Sequence, residues 1–327
     1  MEQSANTPLS KGKKQFSIKQ LFLGNVGTLI ILLVLFAVFA IIAPGFAHTD
    51  NLMNILVQCG TNAIIAIGMT FVIISGQIDL SVGASLALAS VLGGTVMVKT
   101  GNLMIGVLVV LLAGILLGVI NGVLVSLCGF QPFIATLSTM WLYRGLAYVY
   151  SNGQAVTGLP QGIQSLVSKS TFILPNVVWL IVICYLICYL ILSRSTLGRK
   201  IYAVGDNAEA SRLSGINVRL IKVFVFAFSG FMAALSGVVL MSRLNSSQPI
   251  AGQSFEMYAI AAAVIGGASL TKGGIGGVLG TLIGAIFIAT LQYGLTYMNV
   301  SSFWQQVCMG LVVLFAIAID KLRKNLE

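Results

Sequence analysis

Few side chains in this sequence could do chemistry, and Asp79 stands out. It lies in Ser75-Gly76-Gln77-Ile78-Asp79-Leu80-Ser81-Val82-Gly83, which sets an acid and flexible glycines between two apolar runs. Irregular backbone at membrane depth is tolerated only where it is buried in protein or lines an aqueous cavity. Asp79 and Ser81 are therefore candidate linings of a polar pathway, offering hydrogen bonds to a hydroxylated solute. Asp79 is also placed to cap the helix that follows by accepting from its free amides, and the two roles are compatible. Arg144 sits near Trp141, Tyr143, Tyr148 and Tyr150. Those aromatics read as an interfacial belt, with Arg144 snorkelling outward to lipid phosphates. Pairing of Arg144 with Asp79 or Glu256 is the alternative.

Catalytic patterns are missing. The sequence has no G-x-x-x-x-G-K-[ST] phosphate loop and no H-E-x-x-H, and its one histidine is His48. Gly76-Gln77-Ile78-Asp79 lacks the second glycine of an intramembrane aspartyl protease, and no second intramembrane Asp pairs with it. The five cysteines (Cys59, Cys128, Cys184, Cys188, Cys308) form no C-x-x-C pair and read as small hydrophobes. No catalysis, metal or cofactor is expected of the chain itself.

The elements that must carry these residues are apolar. Of 327 residues 57% are hydrophobic and 8% charged, with a mean hydropathy of +1.00, whereas a soluble domain has about 25% charged residues. That composition excludes a soluble enzyme. A spanning helix needs about 20 mostly apolar residues. Ten stretches qualify, near 26–43, 52–75, 81–98, 103–125, 132–150, 174–192, 221–242, 255–270, 276–295 and 302–319. The basic lead before the first is long and no cleavage site follows, so it reads as a retained span, not a signal peptide.

The net charge of +10 does not mark a nucleic-acid binder, because the basic residues sit in short clusters between apolar runs. With ten spans and both termini inside, 14 of the 18 Lys and Arg fall in cytoplasmic segments. Only Lys99, Lys169 and Arg243 lie outside, and Arg144 lies within a span. That asymmetry is the expected orientation signal.

Two connections are long. Ser151 to Thr171 is polar and faces outward in this topology. Ser193 to Lys222 is cytoplasmic, and within it Asn207 to Gly215 reads as a short helix: Asn207 at the N-cap, Glu209 in the first turn, Gly215 at the end. It is either a docking element or a connector lying on the membrane surface. Small residues at every fourth position (Gly114, Gly118, Gly122, and Gly276, Gly280, Gly284) allow close helix approach, within the chain by default.

Several ordered stretches resemble the membrane permease subunits of bacterial ABC importers of the ribose type, the second carbohydrate-uptake group. They are Ser75–Gly83, Gln131-Pro-Phe-Ile-Ala-Thr-Leu137, Gly205–Val218, Tyr258–Gly267 and Gly273–Gly284, and the resemblance covers roughly 50–320. It implies an all-α polytopic fold of about ten transmembrane helices with both termini cytoplasmic. Residues 1–25 would be a cytoplasmic tail, 26–320 one permease domain with a coupling loop at 193–222, and 321–327 a second tail. Glu209-Ala210-Ser211 followed by Gly215 matches the importers' EAA-x-x-x-G pattern with Ser211 for the last alanine. Asn207, Glu209, Ala210, Ser211, Gly215, Ile216 and Asn217 are then the ATPase-coupling residues, and Gln77, Asp79, Ser81 and Phe133 the expected substrate pathway. Relatives commonly have two glycines where this chain has Gly76-Gln77, so Gln77 is a candidate tuner of solute choice.

The implied function is alternating-access import of a monosaccharide, ribose-like or related, across the bacterial cytoplasmic (inner) membrane. The implied partners are an ABC ATPase subunit carrying ATP–Mg, a second permease chain (a homodimer in the simplest case), a periplasmic sugar-binding protein and membrane lipid. The alternative is an ion-coupled secondary transporter of a small polar solute.

Overall fold

The computed structural model describes residues 25–172 and 174–324. The expectations for the amino-terminal tail with Lys11, Lys13, Lys14 and Lys19, and for residues 325–327, lie outside the described residues. Each of the ten apolar stretches forms a helix: α1 (Asn25–Ile42), α2 (Thr49–Ile74), α3 (Val82–Thr100), α4 (Leu103–Ser126), α5 (Pro132–Ser151), α7 (Asn176–Arg194), α10 (Val218–Leu244), α11 (Phe255–Ile265), α12 (Val278–Tyr297) and α13 (Ser302–Lys324). Three shorter helices sit in the connections: α6 (Ser165–Ser168), α8 (Thr196–Asp206) and α9 (Ala208–Leu213). A two-stranded hairpin, Ser170–Thr171 with Leu174–Pro175, precedes α7.

Among the described residues, seven helices are long and apolar enough to cross a membrane: α2, α3, α4, α7, α10, α12 and α13. α1 and α11 are apolar but shorter, and α5, with Thr136, Ser138, Thr139 and Arg144, is less apolar. The chain is thus an all-α polytopic membrane protein. Most boundaries shift by a few residues, and two of the shifts fall at glycines. The eighth stretch ends at Ile265 instead of residue 270, because the backbone leaves the helix at Gly266 and is left-handed at Gly267 (φ +98°). The ninth helix starts at Val278, leaving Gly276 (φ +134°) in the preceding turn.

α2 is the axis of the fold. Every residue from Cys59 to Ile74 is buried, the signature of a helix apolar on all faces and surrounded by others. It packs against α7, α10, α11 and α12. α4 meets α10 closely because Gly114, Gly118 and Gly122 lie on the backbone of Gly230, Phe226 and Val223, so this small-residue string packs helices within one chain. Gly280 and Gly284 do the same for α12, against Gly266 and Ala262 of α11 and its end. The outer faces of α4 (Leu108, Leu112, Leu116) and α13 (Leu311, Leu314, Phe315) are exposed and apolar, as helix surfaces in hydrocarbon are.

Candidate functional site

The break between α2 and α3 is tied down from three sides. Asp79 is buried, at 1% exposure. Its Oδ1 accepts from the Ser81 amide (3.0 Å) and from Ser81 Oγ (2.7 Å), and its Oδ2 accepts from Ser229 Oγ of α10 (2.9 Å). Ser81 Oγ in turn accepts from Asn121 Nδ2 of α4 (2.7 Å), and the Tyr143 hydroxyl of α5 donates to Asn121 Oδ1 (3.3 Å). Thr136 of α5 donates to the Ile78 carbonyl (3.3 Å). Buried polar groups are costly unless bonded, and here one carboxylate gathers the Ser81 hydroxyl of the break itself and the Ser229 hydroxyl of α10 around a segment that has no helix of its own. Among the residues expected to line a pathway, Asp79 and Ser81 are therefore brought together and turned toward the protein. Gln77 folds back, its Nε2 donating to the Gly76 carbonyl (2.9 Å), and its buried Oε1 has no protein partner. Phe133, in the first turn of α5, is half exposed.

The 193–222 connection holds two helices, not one. α8, which the charge reading left inside a loop, begins at an N-cap, Ser195 Oγ accepting from the Gly198 amide (3.0 Å). It buries Gly198, Ile201 and Val204 at a spacing of three, a visible signal for a helix with one buried stripe. α9 follows directly. Asn207 Oδ1 accepts from the Ala210 amide (2.9 Å), satisfying one of the free amides of a helix start. At the other end Gly215 is left-handed (φ +80°). The Gly215 amide reaches the Arg212 carbonyl and the Ile216 amide the Ser211 carbonyl, both at 3.0 Å, the paired bonds of a Schellman ending. Asn217 then caps α10, accepting from the Leu220 amide (3.1 Å). Glu209 and Arg212 form a two-pronged ion pair at 2.6 and 3.0 Å, Ser211 is buried, and Ala210 and Gly215 are exposed. Leu213, apolar and 74% exposed, projects from the last turn.

A backbone junction joins this loop to the helix break. A Cβ on Gly205 would strike the Ile74 carbonyl and stand 2.6 Å from the Gly274 amide, and one on Gly273 would strike Gly205. The Gly274 amide donates to the Ile74 carbonyl (2.8 Å) and the Tyr202 hydroxyl to the Gly276 carbonyl (2.8 Å). The end of α8, the end of α2 and the turn before α12 therefore touch main chain to main chain.

A third polar place lies between α5 and the segment from α10 to α11. Arg144 Nη1 donates to the carbonyls of Pro249 (2.7 Å) and Ala251 (2.6 Å). Arg144 is thus turned to buried backbone instead of snorkelling to lipid; the carbonyls of an irregular segment have no ladder to join, and a guanidinium satisfies two at once. Beside it is a cavity of about 310 Å³, bordered by Trp141, Arg144, Tyr148, Gln253, Ser254 and Glu256.

The comparisons with known proteins fit this architecture. Residues 51–317 match the family model described as the permease component of the branched-chain amino acid transport system. The chain belongs to this family of transport permeases. Among individual proteins, it is 46% identical over 303 residues to the ribose import permease protein of Haemophilus influenzae, covering 91% of this chain and 94% of that one. It is 42% identical over 300 residues to the ribose import permease protein of Bacillus subtilis (91% and 92%). With the L-arabinose transport system permease protein of Escherichia coli it shares 36% over 313 residues (96% and 95%). No solved structure matches. As a permease subunit the chain is a transport component and not an enzyme.

Sequence reasoning found the permease's local features and missed its distant ones. Ser229 and Asn121 around Asp79 carried no pattern of their own, and Tyr143, read as part of an interfacial belt, is instead buried at 2% exposure with its hydroxyl bonded inside the protein. Gly205 and Gly273 gave a signal only as part of the motifs that marked the resemblance.

Proposed function

We propose that this permease forms the transmembrane pathway for a monosaccharide, ribose or a close relative, in a binding-protein-dependent ABC importer of the bacterial cytoplasmic membrane. The observation that carries it is similarity over nearly the whole chain to permeases named for ribose and L-arabinose. The D-allose transport system permease protein of Escherichia coli is also 38% identical. The family description names amino acids, but these relatives all carry sugar names, and the sugar reading follows them.

In this reading ten helical stretches cross the membrane, α1 and α11 included, as one permease domain with both tails in the cytoplasm. Two copies assemble around the pathway, and a periplasmic binding protein delivers solute to the outer face. The chain supplies no nucleotide chemistry; ATP–Mg is bound and hydrolysed by a partner ATPase. α9 is the coupling helix. Its capped ends, with Asn207, Gly215 and Asn217, hold it as a defined knob; Glu209 and Ala210 lie on its surface with Ile216 just beyond, while buried Ser211 seats it against the chain. Exposed Leu213 suits an apolar cleft on the ATPase. Docking shifts the pathway between outward and inward access only if the ATPase's nucleotide states bind α9 with different affinity. For the pathway residues, Asp79 and Ser81 shape the wall from behind, while Gln77 and Phe133 stand nearer to solute.

The test is reconstitution with the ATPase and binding protein, measuring ribose uptake and hydrolysis for wild type and Gly215→Arg. Among the described residues nothing lies within 4 Å of a Cβ at Gly215, so a large side chain there meets a partner and not the fold, beyond the strain that the left-handed backbone (φ +80°) puts on any side chain. Gly215→Asn, which tolerates the left-handed backbone, is the conservative control. The arginine variant is expected to insert and to lose the ATPase or its solute-stimulated hydrolysis. Unchanged uptake would reduce the loop to a connector, and loss of uptake on adding a proton uncoupler while ATP persists would favour an ion-coupled carrier.

A further inference from the structure

The cavity between α5 and the Pro249–Glu256 segment has a composition that the helix packing does not require. Its volume of about 310 Å³ lies at the small end of ligand pockets, about 300–1,000 Å³, a size for a small solute. Arg144 spends Nη1 on the Pro249 and Ala251 carbonyls, and among the described residues its Nη2 and Nε have no protein acceptor. Glu256 faces the same space, yet the one ion pair among the described residues is Arg212 with Glu209. Donors and an acceptor thus border one cavity without forming an ion pair, together with Gln253 and Ser254. Trp141 is 69% exposed at its edge, offering an aromatic face. Backbone geometry fixes the frame: Ser254 is left-handed at φ +67°, an arrangement costly for a residue with a side chain. Gly83, the second residue of α3, sits on the Gly252 carbonyl with no room for a Cβ. The cavity is therefore tied to the helix that starts at the Asp79 break.

We propose that this cavity is a sugar-contact site of the translocation pathway, in which Arg144 and Glu256 bond vicinal hydroxyls, Gln253 adds a third polar contact and Trp141 stacks on the ring's C–H face. One cation and one anion leave the site without net charge, which suits a neutral polyol better than an ion. The inference rests on the sugar-import reading and adds to it the residues that set specificity.

The experiment uses the assembled importer in proteoliposomes, fed with saturating ribose-loaded binding protein, and reads ribose moved and ATP hydrolysed in parallel. The variants are Glu256→Gln, Gln253→Ala and Trp141→Ala; the last two alter exposed side chains, so folding is not at stake. Each is expected to lower ribose moved per ATP hydrolysed by about tenfold, the scale of one hydrogen bond or stacking contact. Loss of discrimination between ribose and 2-deoxyribose in Glu256→Gln would sharpen the assignment. Unchanged transport in all three variants overturns it. So does loss of the second permease copy from purified Trp141→Ala, which would make the face a subunit interface, and so does competition by leucine for the wild-type site. If wild type carries no ribose, the sugar-import reading fails first, a result separable from failure of the variants.

Discussion

The backbone junction around Gly205 and the cavity around Glu256 are built on opposite principles. At the junction, α8, the end of α2 and the Gly273–Gly276 turn meet main chain to main chain at Gly205, Ile74 and Gly274, with the Tyr202 hydroxyl bonding the Gly276 carbonyl beside them. At the cavity, long side chains from α5 and the Pro249–Glu256 segment stand apart around open space. The first arrangement has almost no compliance, because close-packed backbone has nowhere to yield. The second can exchange partners, because its polar groups are incompletely used. The proposed importer would use both: a stiff connection behind the helix offered to the ATPase, and a loosely filled polar space for the solute. The Asp79 cluster lies between them in chemistry, fully bonded but through side chains.

The strongest way to break this contrast is to make the junction soft. Gly205→Val cannot be accommodated without separating α8 from Ile74 and Gly274. Uptake is expected to fall to background, with a clear loss of thermal stability of the detergent-solubilised complex. Gly277→Ala is the matched control. It lies in the same turn, but nothing is within 4 Å of its Cβ position and its backbone is extended, so a change within about 0.5 kcal/mol is expected. Equal behaviour of the two variants would show that the junction is not a stiff element.

The next largest effect belongs to Asp79. In Asp79→Ala the Ser81 amide and the Ser81 and Ser229 hydroxyls lose their acceptor inside the protein. Each buried donor left unpaired costs about 1–3 kcal/mol, so this variant should be the least stable of the polar substitutions. Ser229→Ala, which removes one bond only, is expected to cost about 1 kcal/mol. A reversed order, read from melting temperatures, would mean that Asp79 faces the pathway and not the protein.

These two sites also show where a sequence stops being readable. The apolar runs and the docking helix are visible because their logic is local: a cap acts over three residues, as at Asn207 and Ala210, and a left-handed glycine closes the same helix at Gly215. Asp79 was visible as an oddity, but its partner Ser229 is 150 positions away, and no periodicity links them. Arg144 misled for the same reason. Its aromatic neighbours suggest a lipid anchor, whereas its carbonyl acceptors lie 105 and 107 positions on. Gly205 needs its missing side chain only because Ile74 and Gly274 arrive from elsewhere. α8 was overlooked although its cap and its buried stripe are local, since its basic surface dominated the reading.

A smaller effect isolates the docking knob. Asn207→Ala removes the cap of α9 and should cost about 1 kcal/mol, as for other helix caps, with Asn207→Asp nearly neutral. Because α9 is only six residues long, that loss is expected to fray it and to lower solute-stimulated hydrolysis several-fold while the membrane helices melt unchanged. Equal loss in both variants would point to a direct contact of the asparagine amide with the partner, and not to its cap.

The weakest effect is electrostatic and tells whether the surface of α9 or its shape matters. The hydrogen bond and charge of Arg212 hold the Glu209 carboxyl below its ordinary range. A lowered folded pKa means the pair supports the helix above the unfolded value, and that support fades as pH falls through the folded one. At neutral pH it is fully present, and both side chains are well exposed, so screening keeps it small. Glu209→Gln should therefore lower the melting temperature of the free permease only slightly near neutrality, and that small difference should vanish as the pH is lowered. Solute-stimulated hydrolysis is the more informative reading. If it drops in Glu209→Gln but recovers in a Glu209→Gln, Arg212→Gln double variant, the pair acts by holding Arg212 away from the ATPase. If neither variant changes it, the ATPase grips α9 by shape, through Leu213 and the capped backbone, and the stiffness of the junction behind it is sufficient.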